Sequence, residues 1–259
     1  MKYYIVDAFT EKLFQGNQAG VCLLDHWLDK SIMQNIAMEN NLAETAFVVK
    51  KDGVYDLRWF SPEVEIDLCG HATLASAFVL ANYVDKNSNT FSFHTVSGEL
   101  TVVKKGDLYE MDFPLRRPKQ VEILPVMEEA IGTKVLEAHL SRDLLLLVES
   151  EDVVRNLKPN LEVIKSITDC FAVIVTAKGE TVDFVSRFFA PNAGIPEDPV
   201  TGSSHATLIP FWADRLLKDQ LVAEQLSKRG GRLYCNNYAE RVKISGYATI
   251  YLEGNIQIG

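Results

Sequence analysis

Glu44 stands in NLAETAFV among Leu42, Ala43, Ala46 and Phe47. A carboxyl in such apolar company is suited both to take and to give a proton. From periodicity alone the plainer reading, an exposed residue at a strand end, prevails. His71, in LCGHATLA, is either a packing or capping residue at a helix start or a donor that orients a ligand and shuttles a proton. Asp198, in EDPVTGSS, precedes Pro199 as turn-opening residues do, and Ser203 is placed to cap a helix. Gly16-Asn17 reads as a tight turn that brings Asn17 near the site rather than as a phosphate loop. Cys69 lies two residues before His71 with no third group to orient a thiolate–imidazole pair, which disfavours cysteine-hydrolase chemistry. Cys69, His71 and His205 match no usual ligand spacing, and no metal site is expected.

Several of these residues belong to phrases that occur twice. HATL fills positions 71–74 and 205–208. Arg58-Trp59-Phe60-Ser61-Pro62 precedes the first copy and Arg187-Phe188-Phe189-Ala190-Pro191 the second, 13 residues ahead of the histidine in one case and 18 in the other. The five extra residues fall within 192–203, the stretch that holds Asp198, and asymmetry inside a duplication points to divergence for function. LAETAFVVK (42–50) answers DCFAVIVTAK (169–178), and SGELTVV (97–103) answers RGGRLYC (229–235). The chain therefore reads as a duplication, with halves 1–115 and 116–259 joined near 113–120.

The elements that must position these residues follow from periodicity. Short strands are predicted over 3–8, 21–24, 44–50, 54–60, 90–94, 99–103 and 108–113, with a helix over 30–40 that shows Ile32, Met33, Ile36 and Ala37 on one stripe. The segment 71–84 is apolar nearly all round, so it must be buried on every side. Its second copy carries Pro210, which is expected to kink it. The fold class is α+β: two pseudo-symmetric halves, each a curled, barrel-like sheet around a central helix. Each central helix is expected to begin at its HATL, with Gly70 and Gly202 beside free backbone N–H groups that form two anion cradles facing one cleft.

The chain of 259 residues carries a formal charge of −9, which argues against nucleic acid and anionic membrane as partners. Its start alternates like a strand, its longest apolar run is too short to span a bilayer, and its four cysteines are scattered; a cytoplasmic protein without disulfides is expected. The expected partner is a small carboxylate-bearing molecule, with a homodimer as an allowed assembly.

GNQAGV (16–21), NLAETAFV (41–48), LCGHATLA (68–75) and EDPVTGSS (197–204), in that order, resemble the phenazine-biosynthesis isomerase family of the diaminopimelate-epimerase-like superfamily. The resemblance covers essentially the whole chain. It implies a cofactor-independent proton transfer at carbon, with Glu44 matching the family's acid/base glutamate and His71 and Asp198 its other catalytic positions. Ser203, Gly70 and Gly202 match residues lining the substrate site, and Asn17 falls beside them. Ala43 stands where several relatives have serine, which leaves the substrate open. The alternatives are a racemase or epimerase of an amino or hydroxy acid, which needs a second base, for which Asp198 is the only motif-matched candidate, and a non-catalytic anion-binding protein.

Overall fold

The computed structural model describes residues 1–51 and 53–258. The chain divides into two compact units, Met1–Asp112 together with the segment from Ser245 onward, and Phe113–Ile244.

The first unit runs β1 (Lys2–Ala8), β2 (Asn17–Leu24), α1 (Lys30–Asn40), β3 (Glu44–Lys51), β4 (Val54–Phe60), β5 (Glu65–Ile66), α2 (Gly70–Val79), β6 (Thr90–Thr95), β7 (Gly98–Lys105) and β8 (Leu108–Pro114). Strands pair in the order β1-β2-β3-β4-β6-β7-β8, antiparallel except where β2 meets β3 and β4 meets β6. Each parallel step needs a crossover, and α1 and α2 supply them. Cys22, Phe47 and Phe60 pack with Met33 and Ala37 of α1 on one face of the sheet. Their strand neighbours Val21, Ala46 and Trp59, all fully buried, point the opposite way, toward α2.

Eight of the ten residues of α2 are buried, and it touches strands from β1 to β7, so the sheet curls round it. Burying Leu74 and Val79 contributes roughly 1.5–3 kcal/mol each. The helix's few polar side chains spend their donors on its own backbone: Thr73 Oγ1 donates to the Cys69 carbonyl (2.6 Å) and Ser76 Oγ to that of Ala72 (2.7 Å). It continues as a π turn over Leu80–Val84, which closes the segment expected to be a buried helix.

The second unit comprises β9 (Lys119–Val121), α3 (Pro125–Ile131), β10 (Glu137–Leu140), β11 (Leu144–Leu147), α4 (Glu151–Asn156), α5 (Leu161–Ser166), β12 (Val173–Lys178), β13 (Phe184–Phe189), α6 (Gly202–Leu216), β14 (Gln220–Gln225), β15 (Gly231–Asn237) and β16 (Arg241–Gly246). Its order β9-β10-β11-β12-β13-β14-β15 repeats the first unit's alternation, with parallel steps only at β11–β12 and β13–β14. The helix α6 takes the place of α2: Trp212 stacks on Phe184 and donates from Nε1 to Thr176 Oγ1 (3.0 Å), while Phe211 meets His139 edge-on. Residues of α3, α4 and α5 cover the other face through Met127, Ile131, Val154 and Ile164. The helix α6 runs unbroken through Pro210.

The division differs from the expected 116–259 half at its C-terminal end. The last strand, β17 (Ala248–Asn255), pairs with β1 from Lys2↔Asn255 to Ala8↔Ala248, in the first unit. An edge strand exposes a row of unpaired backbone groups. In the second unit β9 covers β10 on that side, and in the first β17 covers β1.

Candidate active site

Three of the sequence phrases meet at the start of α2. Gly16, with φ +69°, turns the chain into β2 at a point where a side chain would collide with the Ala8 carbonyl. Asn17 follows as the first residue of β2 and is wholly buried. Glu44 opens β3, paired in parallel with Ala19. Cys69 is the N-cap of α2, Gly70 its first residue and His71 its second.

His71 is the hub of this set. Its Nε2 lies 3.0 Å from Glu44 Oε2, and its Nδ1 lies 3.2 Å from Asn17 Nδ2 and 3.5 Å from Cys69 Sγ. The Glu44 contact has the distance of an ion pair but not the alignment of a hydrogen bond, so Glu44 Oε2 keeps its accepting capacity. Glu44 is only 9% exposed and His71 6%. Burial of the ring opposes its charge, yet Cys69 and Glu44 outweigh this and hold the His71 pKa well above the ordinary histidine value. Burial, and then the nearby Glu44, push the Cys69 thiol up. The donor atoms of Glu44, Cys69 and His71 lie within 4.8 Å of one another, a mixed set able to hold a thiophilic cation.

The second unit assembles its own set at the start of α6. Thr201 is the N-cap, Gly202 the first residue and Ser203 the second. HATL therefore begins one residue after the start of α2 but three after that of α6, which corrects the expectation that each helix starts at its HATL. Nor does Ser203 cap the helix. It lies inside the first turn, with its Oγ 3.3 Å from Arg142 Nη2. Asp198 is half-buried, its Oδ2 accepting from Thr201 Oγ1 and its main-chain N–H donating to Phe188 O (3.0 Å). His205 is fully buried, with Nδ1 2.8 Å from Thr201 O, and burial lowers its pKa to about 4, so it is a neutral structural residue.

Sequence reasoning missed Gln225 here. This fully buried residue donates from Nε2 to Asp198 O (2.7 Å) and accepts at Oε1 from Thr201 N–H (2.9 Å), fixing the turn that carries Asp198. It closes β14 without a motif, so only the fold reveals it. The expectation of a single cleft concerned both units at once; within each unit, the structure gathers Asn17, Glu44, Gly70 and His71 in the first and Asp198, Gly202 and Ser203 in the second.

A curled α+β sheet on a buried helix, built twice, defines a class of fold shared with epimerases. A hydroxyproline epimerase from Agrobacterium vitis has the same fold at 10% identity (TM-score 0.63, 98% of this chain and 91% of that one). The chain belongs to the phenazine biosynthesis-like protein family, which it matches over residues 6–254. It is similar to an uncharacterized isomerase of Pseudomonas aeruginosa, 50% identical over 98% of this chain and 97% of that one. It is also similar to a crystal structure of the phenazine biosynthesis protein family from Enterococcus faecalis, 50% identical over 99% of both chains with a TM-score of 0.98. Relatives with isomerase names place it in an isomerase family. Among the described residues no helix is long and apolar enough to cross a membrane.

Proposed function

We propose that the protein is a cofactor-independent isomerase that moves a proton at carbon on a small carboxylate-bearing substrate, with Glu44 as general acid and base. The observation that carries this reading is the buried Glu44–His71 contact with Oε2 still free to accept. In this cycle Glu44 begins as the carboxylate, with His71 Nε2 3.0 Å from its Oε2. When Glu44 takes a proton from the substrate carbon, the C–H electron pair passes into the substrate's adjacent π system. The protonated carboxyl then returns the proton to another carbon of the same molecule, restoring the site. Asn17 suits His71 in either state, since its amide oxygen pairs with a protonated Nδ1 and its nitrogen with a bare one. Gly70, Gly202, Ser203 and Asp198 are the residues proposed to face the substrate.

Transfer to a different carbon, rather than to the opposite face of the same one, is supported by the make-up of the second unit. A racemase needs two bases, and Asp198, the candidate for the second, already accepts from Thr201 Oγ1. Thr201 holds the N-cap position that Cys69 holds in α2, and Ala172, one residue before β12, stands where Glu44 begins β3.

The test is a thermal-shift screen of small cyclic and amino carboxylates, followed by proton NMR of the binders in deuterated water. Glu44→Gln is expected to bind as well as the unsubstituted chain or better and to lose about 10²–10⁴-fold in carbon–hydrogen exchange and turnover. Exchange that survives in Glu44→Gln and vanishes in Cys69→Ala overturns the assignment in favour of thiol chemistry.

A further inference from the structure

The turn between β10 and β11 holds a charge cluster that the proton transfer does not use. Asp143 is fully buried, and Arg142 grips it with Nε on Oδ1 (2.9 Å) and Nη2 on Oδ2 (2.8 Å). The same Nη2 reaches Ser203 Oγ at 3.3 Å, and the guanidinium lies over the half-exposed Phe171 ring, 4.8 Å from its centroid. Arg142 Nη1 has no hydrogen-bond partner among the described residues. A second arginine is anchored to the same helix: Arg116 donates its main-chain N–H to Ala206 O (3.0 Å), and its Nη1 is buried without a partner. Burial, and after it the neighbouring Arg142, hold the Arg116 pKa below the ordinary guanidinium value, with Asp143 acting in the opposite sense.

Asp143 is bonded by Arg142 alone, and with Arg116 nearby one positive charge is left in excess beside the first turn of α6. A buried N–H without an acceptor is costly, and a planar oxyanion matches the fork geometry of arginine. Asp143 does not meet the whole demand: Arg142 bonds both of its oxygens, and the buried Arg116 Nη1 has no acceptor. The Phe171 ring fixes the guanidinium plane, so the remaining Arg142 edge is preorganised rather than mobile.

We propose that Arg116 and Arg142 form an oxyanion-recognition subsite beside Ser203 that takes a carboxylate group of the substrate. This rests on Ser203 being substrate-facing, as proposed above. It adds to that reading two binding residues that neither the duplicated phrases nor the family motifs contain.

The test uses the full chain labelled with ¹⁵N, titrated with benzoate and, separately, with inorganic phosphate. Calorimetry gives affinities and the Arg142 Nε–H resonance, held by Asp143, reports the location. Benzoate is expected to shift that resonance saturably and to bind more tightly than phosphate. Arg142→Lys, which keeps the charge and loses the fork, is expected to weaken benzoate about tenfold or more. Arg116→Gln orphans no partner and is expected to weaken it by a smaller factor. Unchanged benzoate affinity in both variants, or no saturable response in the unsubstituted chain, overturns the subsite, and a preference for phosphate overturns the carboxylate assignment. Glu44→Gln separates this idea from the proton-transfer reading: if it keeps exchange while benzoate still requires Arg142, the acid/base assignment falls and the subsite stands.

Discussion

The two units bring a buried carboxylate to the first turn of their central helices by different routes. In the first unit it is Glu44, at the head of β3, against His71. In the second, Ala172 stands in the corresponding place, and the carboxylate is Asp143 from the preceding turn, gripped by Arg142. One route pairs a carboxylate with a group that can lose its proton, the other with one that cannot. The first arrangement suits proton transfer and the second suits fixed-charge recognition, so the duplicated frame has diverged in chemistry while keeping its topology.

The frame itself is kept by a second pair of ions. Arg58 lies over Phe60 and bonds Glu65 (2.6 Å); Arg187 lies over Phe189 and bonds Glu197 through both oxygens (2.6 and 2.9 Å). Gly70 lies five positions after Glu65, and Gly202 five after Glu197. This alignment matches Cys69 with Thr201, His71 with Ser203 and Ile66 with Asp198. It also matches Thr73 with His205, both of which bond back to the carbonyl of their helix's N-cap residue. The second unit's extra length then falls between Pro191 and Glu197, six positions against three from Pro62 to Glu65.

The largest difference expected between the units is in these arginines. Arg187 also donates from Nη1 to Leu157 O (2.9 Å) and is more deeply buried than Arg58. Arg187→Ala, which strands Glu197, is expected to cost about 3–5 kcal/mol, and Arg58→Ala about 1 kcal/mol, by urea unfolding. Equal costs would show that the two anchors are energetically alike and break the comparison.

A smaller effect is expected in the acid range. Arg58 first among its neighbours lowers the Glu65 pKa to about 2. Its pKa is depressed on folding, so its contribution is present above about pH 4.5 and is lost as pH falls toward 2. Arg58→Ala is expected to flatten that part of the stability profile, measured as Tm against pH.

The two HATL histidines sharpen the contrast further. His205, lowered to about 4, favours the neutral folded state, so its contribution is full above about pH 6.5 and declines as pH falls toward 4. His71 is raised, so its contribution is full below about pH 6.5 and is lost as pH climbs through its folded pKa. Carbon-13 shifts of the ring Cε1 atoms are expected to show His71 protonated at a pH where His205 is neutral; parallel titration would refute the difference in environment. The smallest effect is expected from Cys69→Ala, which should leave carbon–hydrogen exchange within the same order of magnitude, since a buried thiol beside a carboxylate is a poor base.

The sequence by itself determined the duplication, the largely buried central helices and which residues gather around His71. Apolar periodicity and paired phrases are local properties, and NLAETAFV and LCGHATLA each keep their reactive residue at the edge of an element whose hydrophobic pattern is plain. It did not determine which residues correspond. HATL matched His71 with His205 by wording, whereas helix starts are set by where the backbone enters α2 and α6, and that match is off by two. Nor did it place β17, because strand pairing over 250 residues of chain depends on which edge lacks a partner. Arg116, Arg142, Asp143 and Gln225 were invisible for the same reason: each lies outside a repeated phrase, and only burial and proximity in three dimensions turn an ordinary arginine or glutamine into part of a site.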